Sequence, residues 1–145
     1  MSAIEIKRNF DLTLDIQGAL EAIDYNELSL RAISIILEKT ASSVDYQNQP
    51  FVNYSEFYKQ VREEKGLPTK PDLFFKGNML SAITSDADND GAVIGFLDRD
   101  SSNKAYLHVT GRGKSPVRDF FFINDDNDMD ELTEIAMSFF DGKLQ

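Results

Sequence analysis

From residue 25 to about residue 44 apolar side chains return with helical spacing. Leu28, Ala32, Ile35 and Ile36 fall at i, i+4, i+7 and i+8, with Ser29, Ser34 and Glu38 on the other faces. The pattern predicts a core-packing helix. Ile33 and Leu37 widen its apolar stripe beyond what a surface helix needs, so the domain itself or a neighbouring subunit covers more of it. Ahead of this helix, residues 3–7 read as a short extended piece in which Ile4 and Ile6 alternate with charged neighbours.

A loop over 45–52 contains Pro50, and a second helix is predicted to begin at Asn53, a good N-cap with Glu56 at the capping-box position. This helix should end at Gly66. Phe57 with Val61, and Tyr54 with Tyr58, are spaced four apart and predict an aromatic face, leaving Lys59, Arg62, Glu63 and Glu64 in water. Pro68 and Pro71 then enforce an extended connector. Residues 76–83, apolar at Met79, Leu80 and Ile83, read as a short helix or turn.

Turn chemistry over 85–91, followed by the apolar run 92–97, predicts a β-hairpin. Residues 98–103 read as another polar turn, 104–109 as a strand or one turn of helix, and 120–123 as a short apolar strand. Gly111 and Gly113 flank Arg112 in a basic loop ending at Ser115-Pro116. A final helix should start within 124–130, where carboxylates favour the positive end of the helix dipole. Its buried face would carry Leu132, Ile135, Ala136, Phe139 and Phe140, with Gly142 closing it. The fold class expected is α+β, a small antiparallel β-sheet packed by the long N-terminal-half helix and the C-terminal helix, in one domain over 1–145.

Composition narrows the function classes. At 145 residues the chain is the size of one domain, and without cysteine it can form neither a disulfide framework nor a thiolate site. No apolar run of signal-peptide or membrane length is seen near the start, so no membrane partner is expected. A formal charge of −10, with Lys and Arg widely spread, argues against ordinary nucleic-acid binding. Eleven Phe and five Tyr place the chain among folded proteins, so the acidity belongs to the surface.

Asp86-x-Asp88-x-Asp90-Gly91 has the spacing of the first half of a calcium loop, which makes Asp86, Asp88 and Asp90 the candidate metal ligands. Leu97 stands where the bidentate Glu should be, so a solvated hairpin turn is the favoured reading. A calcium-binding interaction module and a monomeric acidic accessory protein are the alternative functions. His108, the single histidine, leaves at most one candidate base, and the acidic run 124–131 reads as a solvated helix start. With no phosphate loop or nucleophile elbow either, no catalytic residue, enzyme activity or cofactor is expected. Lys104, Arg112, Lys114 and Arg118 form the one local concentration of positive charge, expected to meet an acidic neighbouring subunit.

The second half of the chain also carries a set of short motifs in register. Tyr54-Ser55-x-x-Tyr58 with Lys65-Gly66 is followed by Pro71-Asp72-Leu73 and by Lys76-Gly77-Asn78-Met79-Leu80-Ser81-Ala82-Ile83. Ala105, His108 and Gly111 then precede Pro116-Val117-Arg118-Asp119-Phe120-Phe121 and the acidic helix. In order and spacing this resembles the phage virion morphogenesis, or tail-completion, proteins and the related neck proteins of tailed bacteriophages, from about residue 51 to the C-terminus. The acidic turn at 86–91 departs from that pattern.

The resemblance implies a structural virion protein that forms a homo-oligomeric ring, commonly a hexamer, at the head-tail junction or tail end. Its partners would be copies of itself and connector, tail-tube or sheath proteins, with assembly in the host cytoplasm. Closure of a ring needs two different patches that fit each other, which suits an aromatic helix and a basic loop on an acidic body. An acidic lumen would let DNA pass without sticking. Scaffold roles are expected for Lys76, Gly77, Met79, Leu80, Ile83, His108, Gly111, Arg112, Pro116, Arg118 and Phe120. Gly77 and Pro116 should turn the backbone at the ends of the sheet, Leu80, Ile83, Phe120 and Phe122 should fill its core, and Arg118 should hold a loop by pairing with a carboxylate.

Overall fold

A computed structural model describes residues 6–7, 23–74, 77–112 and 116–141. The residues expected to be extended at 3–5, Lys76, the loop residues 113–115 and Gly142 lie outside the described residues, as does the side chain of Phe140.

The long helix α1 runs Tyr25–Ala41, started by Asp24, whose Oδ1 accepts from the Glu27 N–H at 3.1 Å. Leu28, Ala32, Ile35 and Ile36 are buried as their spacing requires, and Ile33 and Leu37 are half-buried. Ser29 is buried too, where a polar face was expected. Its hydroxyl is satisfied inside the helix by the Asn26 carbonyl at 2.9 Å, so burial leaves no donor unpaired. The helix stops before 44, because Ser43 adopts φ +64° and Val44 turns away to bridge Pro50.

The predicted hairpin is present as β2 (Ile83–Ala87) and β3 (Ala92–Phe96), antiparallel with Ser85 opposite Ile94. A short β1 (Ile6–Lys7) pairs with the other edge of β3, giving the order β1-β3-β2. Alternation sends Ala92, Ile94 and Phe96 to the face that α1 covers. The fold is therefore α+β, a small antiparallel sheet packed against helices. The C-terminal helix α5 (Asp126–Asp141) lies along α1, burying Leu132 and Ala136. Lys39 with Asp128, and Arg31 with Glu131 at 2.8 Å, tie the two helices.

Between these come α2 (Glu56–Glu64), α3 (Asn78–Ser81) and α4 (Arg99–Thr110). Two expectations change here. Residues 98–103 and 104–109 are one helix, because Asp98 caps it, accepting from the Ser101 N–H at 2.8 Å and the Ser101 hydroxyl at 3.0 Å. Residues 120–123 form no strand. They are an irregular segment in which Phe120 and Phe121 are both buried while Phe122 is 43% exposed, so Phe121, not Phe122, joins the core. Consecutive burial of that kind is impossible for a strand with one covered face.

Helix α2 also differs from its sequence reading. Its N-cap is Ser55, whose hydroxyl accepts from the Tyr58 N–H at 3.2 Å, and not Asn53. Phe57 is 76% exposed, whereas Arg62, expected in water, is fully buried. The helix is docked by that arginine rather than by an apolar stripe.

Candidate functional site

A cleft of about 710 Å³ opens between α2, the connector after it and the end of α4. Its walls collect residues far apart in sequence: Tyr54 and Tyr58 from the α2 region, Leu73 and Gly77 from the connector, His108 from α4, and Pro116 and Arg118 beyond. Residues from each of the sequence motifs thus share one locus, although many of the motif positions lie outside it.

The floor is built on Arg62. Its Nε donates to the Pro68 carbonyl at 2.6 Å, Nη1 to the Phe74 carbonyl at 2.7 Å, and Nη2 to Asp72 Oδ1 at 2.8 Å. The same Asp72 oxygen accepts from the Phe74 N–H at 3.0 Å. Tyr54 and Tyr58 meet edge to face, ring centroids 4.8 Å apart, and the guanidinium carbon of Arg62 lies 4.9 Å from the Tyr54 centroid. Leu73, held at φ +58°, donates its N–H to Tyr54 Oη at 3.2 Å. Pro68 and Pro71 therefore do more than end a helix, since the connector wraps around a buried cation.

Arg118 forms the second clamp. Its Nε donates to the Val52 carbonyl at 2.8 Å and its Nη2 to the Asn53 carbonyl at 3.2 Å, with its guanidinium carbon 4.8 Å from the Tyr54 centroid. The expected carboxylate partner is replaced by backbone carbonyls, so Arg118 holds a loop as anticipated but by a different chemistry. It is 5% exposed and contributes little to a basic surface. Burial draws its pKa down, and the neighbouring tyrosines oppose that.

Around His108 the motif spacing acquires a physical meaning. Ala105 is fully buried under the helix, the His108 carbonyl accepts from the Arg118 N–H at 2.7 Å, and Gly111 caps the helix at φ +69°. A Cβ on Gly111 would stand 2.6 Å from Val117 Cγ2. Phe120 follows into the core beside the His108 ring. Burial first, and the charge of Arg118 second, hold His108 below its ordinary pKa. Its Nδ1 is shut from solvent with no hydrogen-bond partner among the described residues.

Other predicted residues fall outside this locus or change role. Gly77, at φ +79°, turns the backbone as the N-cap of α3, and Pro116 lines the cleft. Met79 is buried, with Leu80 and Ile83 half-buried against the core, and Arg112 stacks on Tyr106 with its guanidinium carbon 5.7 Å from the ring centroid. At the hairpin tip Asp88 Oδ1 accepts from the N–H groups of Asp90 at 2.8 Å and Gly91 at 3.1 Å, which closes the turn. Among the described residues no group of three or more His, Asp or Glu is placed to hold a metal ion. Reading the sequence missed Arg62 as a site residue; the Tyr54-Tyr58 pair four apart, ahead of Asp72, was the available signal.

Compared with protein-family profiles, with curated proteins and with solved structures, the chain matches none of them.

Proposed function

We propose that the chain is a structural protein of a tailed-bacteriophage virion, a neck, tail-completion or tail-terminator component that assembles with copies of itself into a ring. One observation carries this reading. Motif residues Tyr54, Tyr58, Asp72 and Arg118 take part in two adjoining clamps, whose two buried arginines are spent largely on backbone carbonyls. Such groups shape a scaffold. Exposed apolar side chains lie beside the clamp: Val52 and Val117, on the two segments that Arg118 joins, are each 54% exposed and suited to contact with a neighbouring subunit. Connector or tail-tube proteins would meet the ring above and below, and the acidic surplus would face the passing DNA.

The test is mass spectrometry of purified particles from the phage that encodes the chain, joined to electron microscopy of their necks and tail ends. Finding the chain in a ring at either place supports the reading, and its absence from intact particles overturns it. Arg118→Ala, which cuts the clamp, should yield separated heads and tails; normal infectious particles would remove Arg118 from the assembly role.

A further inference from the structure

The cleft holds a charge imbalance that scaffold duty does not account for. Among the described residues lining it there is no Asp or Glu, although the whole chain carries −10. Three cations line it. Arg62 is paired with Asp72, and Lys104 at the rim lies 3.1 Å from Asp100. Among the described residues Arg118 has no carboxylate partner; Nε and Nη2 are committed to carbonyls, and Nη1 donates to none of them. Beside it His108 Nδ1, shut from solvent, has no hydrogen-bond partner among the described residues. A buried guanidinium compensated only by carbonyls and a ring face is a seat for an anion, because a buried charge is stabilised by a paired opposite charge. Asn53, Ser55 and Asn78 also line it, beside an apolar and aromatic stretch of Leu73, Phe74, Pro116 and the two tyrosines. An inorganic anion alone would leave that surface uncovered in a space of about 710 Å³.

We propose that the cleft is a binding site for a carboxylate carried on an aromatic or apolar group, the carboxylate seated on Arg118 and the apolar part against Phe74, Tyr54 and Pro116. The site exists whether or not the chain closes into a ring. A carboxylate oxygen can accept a charge-assisted hydrogen bond from the uncommitted Nη1, and Lys104 supplies attraction at the mouth. An added negative charge also favours imidazolium, so binding is accompanied by proton uptake at His108. Among the described residues the charged and titratable groups that line the cleft with that ring are Arg118, Arg62, Lys104, Tyr54 and Tyr58.

His108 is the only histidine, so its ring resonance in carbon-edited NMR reads the site directly in the intact wild-type chain. Phenylacetate, phenylacetamide and inorganic phosphate are the probes. Phenylacetate should shift the resonance saturably and raise the pKa of His108, binding at least about ten-fold more tightly than the neutral amide or phosphate. Lys104→Gln, at the exposed rim, should weaken phenylacetate a few-fold. Arg118→Lys, checked for folding by circular dichroism, should abolish it. A short peptide carrying Phe next to Asp separates the sources: tighter binding than phenylacetate supports a site for a polypeptide segment, and equal binding supports one for a free acid. No shift with phenylacetate, or an equal shift with phenylacetamide or phosphate, overturns the proposal.

Discussion

Arg62 and Asp72 face each other at 2.8 Å with the arginine side chain 1% exposed, and this pair sets the path of the chain between α2 and α3. Removing one partner leaves a charge in a place water does not reach. Asp72→Ala should cost roughly 3 kcal/mol in urea denaturation, and Arg62→Lys should fail to restore the native value, since one ammonium cannot serve Pro68, Phe74 and Asp72 together. A loss within the range of ordinary surface substitutions would show that the pair is open to solvent.

Gly111 and Gly66 both have φ near +70° but differ in their surroundings. A Cβ on Gly66 meets nothing within 4 Å, so Gly66→Ala should cost about 1 kcal/mol, the left-handed strain alone. Gly111→Ala adds the collision with Val117 and should cost more, with part recovered in the double variant Gly111→Ala/Val117→Ala. Thermal melts of the four proteins decide it.

The start of α2 is a local test. Ser55→Ala should cost about 1 kcal/mol, whereas Asn53→Ala should leave the helix as stable as before, because Asn53 contributes its carbonyl to Arg118. Equal effects in a denaturant series would return the cap to Asn53.

His108 gives the protein a pH dependence of known sign. Its folded pKa lies below the ordinary 6.5, so between the two values the unfolded chain binds a proton that the folded chain does not. Stability therefore falls as pH drops through 6.5 toward the folded value, and rises again as pH increases. His108→Gln should flatten that slope, measured as melting temperature against pH between about 5 and 8.

At the hairpin tip Asp88→Asn should leave melting unchanged, since an amide oxygen can still close the turn, and calcium should not raise the melting temperature of either protein. A calcium-dependent rise lost in the variant would revive the cation-binding reading.

Where structure followed from local pattern it could be read in advance. Helix α1 declares itself through Leu28, Ala32, Ile35 and Ile36, and the hairpin through the Asp-Asn-Gly turn ahead of 92–97. Helix α4 did not, because four of its first five residues are Asp, Ser, Ser and Asn, residue types that also make turns; only the Asp98 cap selects the helix. Phe120 to Ile123 read as a strand, yet among the described residues the segment has no paired neighbour, and it is shaped by Arg118 behind it. Burial of Arg62 was invisible for a related reason. Its hydrogen-bond partners, two carbonyls and the Asp72 carboxylate, are brought by the connector, and helical spacing records only the Tyr58 ring four residues before it. Of the cleft, the motif residues were legible as a set, while their meeting in space was not.

The bond from Arg118 to the Val52 carbonyl spans 66 residues. During synthesis Val52, Asn53 and Tyr54 emerge long before residue 118, so the Arg62 clamp, whose partners all lie within 54–74, can close first, and the wall that Arg118 holds is finished only once the later segment has been made.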